Sequence, residues 1–289
     1  MLEEDGFCAR ALTWAQLGYE AGLDVSESCI RRHMGTMDYH KCIACRKGWA
    51  NEKTKKRRLE YAQYWLPRYP NSGDWHNIRF SDECHFGFGP QGKLRIIRKP
   101  GQRLCQDCIQ EGDPQGDDVK ENDKRRLHTW AAVGWEFKSP LTYYDVGNKN
   151  GSMTLSSYRD QILEPIVKPW IQDLRRGRCD PFILEEDGDS GHGGSGVKKQ
   201  NIVQRWKADS GLKHYFNCPY SPDLAPIENC WQAPKQMLRK VPHWDDATMR
   251  AIIDEGWEHV TVPLINARVD SMPSRLQAVI DGEGAMTGY

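Results

Sequence analysis

The stretch "SPDLAPIENCWQAPK", residues 221–235, carries three prolines and one glutamate, Glu228, at the point where a helix begins. It follows the strand-like run "HYFNCP". Pro226 fixes φ at the first helical position, and a carboxylate there meets the positive end of the peptide dipoles. Pro234 then limits the helix near Cys230, so the element carrying Glu228 is short or kinked. Plain stabilisation of the helix start is one reading of Glu228. A role in chemistry needs further acids elsewhere in the chain.

Two other places supply them. In "IRFSDECHF", period-two alternation sets Ile78, Phe80 and Asp82 on one strand face and Glu83 on the other. A charge on an apolar face is costly unless it is paired or binds a metal, although "SDE" at the surface end of a strand would escape that cost. The apolar run "PFIL" ends in "EEDGDS", where Glu185, Glu186, Asp187 and Asp189 crowd together before a helix. Ligand sites of open α/β sheets gather at such strand ends. Four like charges repel, which a divalent cation relieves, unless the segment is simply an acidic turn.

The whole chain fits a globular protein. It has 289 residues, of which 38% are hydrophobic and 28% charged. No run of 18 apolar residues exists, so no membrane partner is expected, and the start "MLEEDGFCAR" has no secretory pattern. Ten cysteines without such a signal suggest reduced thiols inside the cell. The formal net charge is zero, but residues 28–70 hold eleven Lys/Arg against three acids, and residues 106–123 hold seven acids against Lys120. The basic segment suits a polyanion such as DNA.

"ALTWAQLGYEAGLDVSESCIRRHM" reads as helix, turn, helix, with Gly22 in the turn, Ser26 or Ser28 as cap, and Arg31 and Arg32 on the second helix. An ordinary helical hairpin has the same pattern. "NEKTKKRRLEYAQYWLPRYP" predicts a helix ending at Pro67, whose Lys55, Lys56, Arg57 and Arg58 form a phosphate-binding patch, a nuclear signal or a solvated face. Strands are predicted in "NIRFSDECHFGFG", "KLRIIRKPG", "HTWAAVGWEF", "SPLTYYDV", "PFILEED" and "LKHYFNCP". Helices are predicted around 153–176, with Pro165 and Pro169 bending or breaking the first, around 196–210, and through the remainder from Trp244. The order gives a mixed α/β domain with a helical C-terminal tail. Cys42-x-x-Cys45 and Cys105-x-x-Cys108 are spaced as zinc ligands.

"FSDECHF", "LEEDGDSGH" and "SPDLAPIENCW" resemble, in that order, the three motifs of mariner-superfamily DDE transposases, most closely the fungal members. The third motif, Ser221 to Asn229, is matched throughout, and the likeness covers nearly the whole chain. The resemblance implies a ribonuclease-H-like mixed sheet flanked by helices, behind an N-terminal helix-turn-helix remnant. It divides the chain into a DNA-binding remnant (1–50), a basic helical linker (51–74) and a catalytic domain (75–289). It implies Asp82, Asp187 and Glu228 as catalytic metal ligands, with His192 and Asn229 near the active site. Asp187 is chosen over Asp189 because the family's middle Asp is followed five residues on by His. Mg²⁺ or Mn²⁺, as two ions about 3.5–4 Å apart, would serve hydrolysis at transposon ends and attack by the freed 3′ hydroxyl on target DNA. The partners implied are double-stranded DNA and a second copy of the chain, in the nucleus. Only one helix-turn-helix precedes the catalytic part where the family has two, so the chain is expected to be N-terminally shortened. The 40 residues between Asp187 and Glu228 exceed the family's usual gap, and "GHGGSG" can absorb the excess. The alternative function is a catalytically silent DNA-binding relic with the same fold.

Overall fold

The computed structural model describes residues 12–40, 51–87, 126–146, 152–194, 201–240 and 245–289. The chain divides into two units, Met1–Gly48 and Trp49–Tyr289. The strand expected in "KLRIIRKPG", the acidic segment 106–123 and all four cysteines of the zinc reading lie outside the described residues.

In the smaller unit, α1 (Trp14–Glu20) and α2 (Glu27–Thr36) form a helical pair. Thr13 and Gln16 close a capping box on α1, and Ser26 caps α2. Gly22 takes φ +67° in the turn, a conformation open to glycine at no steric cost. Arg31 and Arg32 are exposed on α2.

The larger unit is built on a six-stranded mixed sheet of order β3-β2-β1-β5-β6. β1 (Ile78–Gly87) and β2 (Arg126–Gly134) pair antiparallel. β5 (Ile183–Glu186) and β6 (His214–Phe216) extend the sheet in parallel from β1. β3 (Phe137–Lys138) and β4 (Thr142–Tyr144) lie along the far edge of β2, one after the other. Pro140, with no N–H to donate, falls in the gap between them.

The two faces of the sheet feed two cores. Ile78, Phe80, Cys84 and Phe86 pack with Trp231, Trp257 and helices of the C-terminal half. On the opposite face, Trp130, Ala132 and Tyr144 pack with Tyr158, Ile162, Leu163 and Val203. That second layer begins with α4 (Leu155–Tyr158), passes through π-helical turns at Arg159–Val167, and continues as α5 (Lys168–Arg175). The expected break at Pro165 does not occur, because the wider turns accommodate a ring that an α-helical interior rejects. Pro169 sits at the start of α5, where its missing N–H costs little. α6 (Ile202–Ser210) leads into β6.

The first layer holds α3 (Glu52–Trp65), α7 (Pro226–Cys230), α8 (Gln232–Lys240), α9 (Asp246–Glu258), α10 (Val262–Asp270) and α11 (Met272–Asp281). The basic helix α3 therefore belongs to the larger unit and is no free linker. Ala62 enters the core, and Arg58 is fully buried. Arg58 donates to both oxygens of Asp223, at 2.8 and 2.7 Å, and to the carbonyls of Gly284 and Ala285. Four of its five N–H groups are thus engaged within the fold, and the expectation of a DNA contact is corrected for Arg58. Gly284, at φ +84°, passes so close to the Lys55 carbonyl that a side chain there would collide with it.

Candidate active site

The parallel register of β1 and β5 pairs Phe80 with Glu185. Carried two residues further, the same offset sets Asp82, mid-strand in β1, level with Asp187, the residue after β5. Glu228 arrives from the first turn of α7. Asp82, Asp187 and Glu228 line one cavity of about 480 Å³, together with Arg57, Ser81, Glu185 and Tyr220. A larger cavity, about 940 Å³, opens around the start of β1 at His76, Arg79 and Trp135. Size does not choose between them. The smaller cleft is where acids from β1, from the end of β5 and from a helix meet.

Burial, then the charges of Glu228 and Glu83, push the Asp82 carboxyl well above its ordinary range, although the indole N–H of Trp231 donates to it at 3.0 Å. Burial also raises Glu228, with Lys235 opposing. Asp187 behaves differently. Burial alone would raise it, but hydrogen bonding to His192 and the charge of that ring bring it below the usual value. The Asp187 side chain is 55% exposed, so this shift is moderated by solvent. His192 Nδ1 lies 2.5 Å from Asp187, and its Nε2 lies 2.9 Å from Glu83. Burial works against a charged ring, but the two carboxylates outweigh it and raise the His192 pKa well above its ordinary value.

Of the four acids of "EEDGDS", Glu185, Asp187 and Asp189 line the same cleft, and strand alternation turns Glu186 to the other layer. Glu185 accepts from the Tyr215 hydroxyl at 2.6 Å, and burial pushes its pKa up to about 8. Glu186 faces the other layer and holds Lys207 at 2.6 Å and the Tyr158 hydroxyl at 2.5 Å. Asp189 accepts from the Gly191 backbone N–H. Asn229 also turns from the cleft, its Oδ1 accepting from Arg275 at 2.6 Å.

Glu83 is the participant that sequence reasoning missed. Alternation put it on the far face, where it indeed lies, but its partner His192 is 109 residues away in the chain. Of the expected DNA-binding residues in α3, Arg57 lines the cleft and Lys56 is exposed, while Lys55 donates to Glu52 at 2.8 Å.

A mixed sheet of this order with helices on both faces is a ribonuclease-H-like fold. Solved structures share it. The mariner Mos1 paired end complex with Mg superposes with TM-score 0.67 at 15% identity, over 96% of this chain and 76% of that one. The catalytic domain of Mos1 mariner transposase gives 0.56 at 15% identity, over 86% and 98%. No protein-family model matches the chain. Among curated proteins, the Tcb1 transposase of Caenorhabditis briggsae is 27% identical over 271 residues, covering 91% of this chain and 88% of that protein. The Tc1 transposase of Caenorhabditis elegans is 25% identical over 267 residues, with 91% and 88% covered. The chain is a homologue of the Tc1/mariner transposases.

Proposed function

We propose that this chain is a metal-dependent DNA transposase that cleaves phosphodiester bonds at transposon ends and joins the freed 3′ hydroxyl to target DNA. The observation that carries the reading is the meeting of Asp82, Asp187 and Glu228 on one cleft. The donors are carboxylate oxygens, which suit Mg²⁺ or Mn²⁺. A divalent cation beside Asp82 and Glu228 would favour their ionised forms against the burial and like charge that now raise them. We assign Asp82, Asp187 and Glu228 as its ligands. Two ions there would stabilise charge on the entering and departing oxygens of the phosphate.

The chain's own groups do the orienting. Trp231 fixes Asp82, and His192 fixes Asp187. Arg57 places a cation at the cleft wall for the DNA backbone. Arg31, Arg32, Lys55 and Lys56 add phosphate contacts, which position DNA without reading its sequence. Mos1 structures that hold paired ends support DNA binding, and pairing two ends suits a homodimer. The run "KTKKRR" supports action in the nucleus.

Nicking of supercoiled plasmid by the full chain, with Mg²⁺ or Mn²⁺, tests the reading. Asp82→Asn, Asp187→Asn and Glu228→Gln should each cut the rate by about 100-fold or more while DNA binding persists. Asp189→Asn should nick like the parent. A folded parent protein that binds DNA but never nicks it would instead mark the chain as a silent relic.

A further inference from the structure

Among the described residues, the Asp187 carboxylate is held on one side only. His192 Nδ1 and the backbone N–H of Asp189 both meet its Oδ1, at 2.5 and 3.1 Å. Oδ2 has neither bond. The ring that does the holding is itself held. His192 is 4% exposed, and its Nε2 is 2.9 Å from Glu83 Oε1. The Tyr158 ring packs against it with centroids 4.4 Å apart, and the Tyr158 hydroxyl is tied to Glu186. Lys207 Nζ binds both Glu186 and the His192 carbonyl, fixing the backbone beneath the ring.

We propose that Glu83 and His192 are positioning residues for Asp187. Glu83 fixes the imidazole, the imidazole pins Oδ1, and Oδ2 is left to meet the cation of the cleft. Neighbouring residues of β1 thus serve one centre from opposite faces of the sheet. Asp82 reaches the cleft directly, and Glu83 steadies the second acid from behind. The inference rests on the reading of Asp187 as a metal ligand.

Glu83, Asp187 and His192 also have ligand atoms within 4.8 Å of one another, the spacing of a metal site. Their hydrogen bonding argues for a relay instead. Each acid sits on a different ring nitrogen, so an ion sharing one nitrogen with both would require one acid to leave the nitrogen it now holds. Groups that orient a ligand in this way typically change metal affinity or activity by about 10–100-fold when removed.

Mn²⁺ binding to the full chain, followed by the electron paramagnetic resonance of free Mn²⁺, reads this without turnover. Glu83→Ala and His192→Ala should weaken Mn²⁺ binding by about 10–100-fold, with Asp187→Asn weaker still. Glu83→Gln, whose amide oxygen can still accept from Nε2–H, should recover most of the affinity and guards against a folding defect in the alanine variants. In the nicking assay, excess Mn²⁺ should restore Glu83→Ala to within about threefold of the parent rate and should not restore Asp187→Asn. If Asp187→Asn weakens Mn²⁺ binding while Glu83→Ala and His192→Ala stay within about twofold of the parent, the positioning role is wrong and the metal site stands. If Glu83→Ala loses one Mn²⁺ equivalent and keeps the affinity of the rest, Glu83 is a ligand and the relay is wrong. If Asp187→Asn binds Mn²⁺ like the parent, the cleft reading fails and takes this inference with it.

Discussion

Asp223 is the acid of residues 221–229 that stays away from the cleft. Its carboxylate binds Arg58 in a fork and also accepts from the Thr287 backbone and hydroxyl at 2.9 and 2.8 Å. Arg275 takes its carbonyl at 2.7 Å and the Asn229 side chain beside Glu228. Removing one partner of a buried pair leaves the other uncompensated. Asp223→Asn or Arg58→Ala should therefore cost about 3–5 kcal/mol in urea unfolding at neutral pH. The pH dependence has a definite sign. Burial would raise Asp223, but Arg58 and Thr287 lower it below the ordinary aspartate value. Its contribution is present above that unfolded value and is lost as pH falls through the lower folded value. The gap between parent and Asp223→Asn should close on acidification below pH 4, and a gap that widened there would contradict the pairing. Trp231 offers a second test at this scale. Trp231→Phe removes the donor to Asp82 and shrinks a fully buried ring, so nicking should fall by about 10-fold and the melting temperature should drop as well.

At the scale of elements, α3 has two sides with different tasks. Lys56 and Arg57 are exposed, whereas Arg58 is buried. Lys56→Ala and Arg57→Ala should each reduce the salt slope of DNA binding by about 0.9, measured by titration at several ionic strengths. Arg58→Ala should lower stability and leave that slope unaltered in the folded fraction. Sequence alone could not separate these neighbours, because the run "KTKKRR" is basic throughout and the acid that claims Arg58 lies 165 residues on. Local pattern was more informative for β1. Alternation put Ile78, Phe80 and Asp82 on one face, as observed, since one face of β1 packs on a core and the other carries Arg79, Ser81, Glu83 and His85. The same rule, applied to "EEDGDS", would have shown Glu185 and Glu186 facing apart. Reading all four as one cluster holds for Glu185, Asp187 and Asp189, which line one cleft, and fails for Glu186. Glu83 was legible in position and illegible in role, because its partnership with His192 exists only after β1 and the loop beyond β5 are brought together.

For the whole molecule, the division after Gly48 is consistent with where the cores lie. Both large hydrophobic clusters are built from residues of the second unit, from Ala62 to Val279. Residues 49–289, expressed alone, should melt cooperatively within about 5 °C of the full chain, followed by circular dichroism. They should lose the phosphate contacts of Arg31 and Arg32 and keep metal-dependent nicking. A fragment that failed to fold would show that the helical pair is needed by the larger unit. Among the described residues no helix is long and apolar enough to cross a membrane.

The bond between Asp223 and Thr287 also sets an order of events during synthesis. Sixty-four residues separate the two, and the carbonyls that complete the shell of Arg58 come from Gly284 and Ala285. A ribosome that has just made Glu228 has still to make the segment that locks its neighbourhood. Asp223 and Arg58 thus gain their full set of partners only once residues 284–287 have been made.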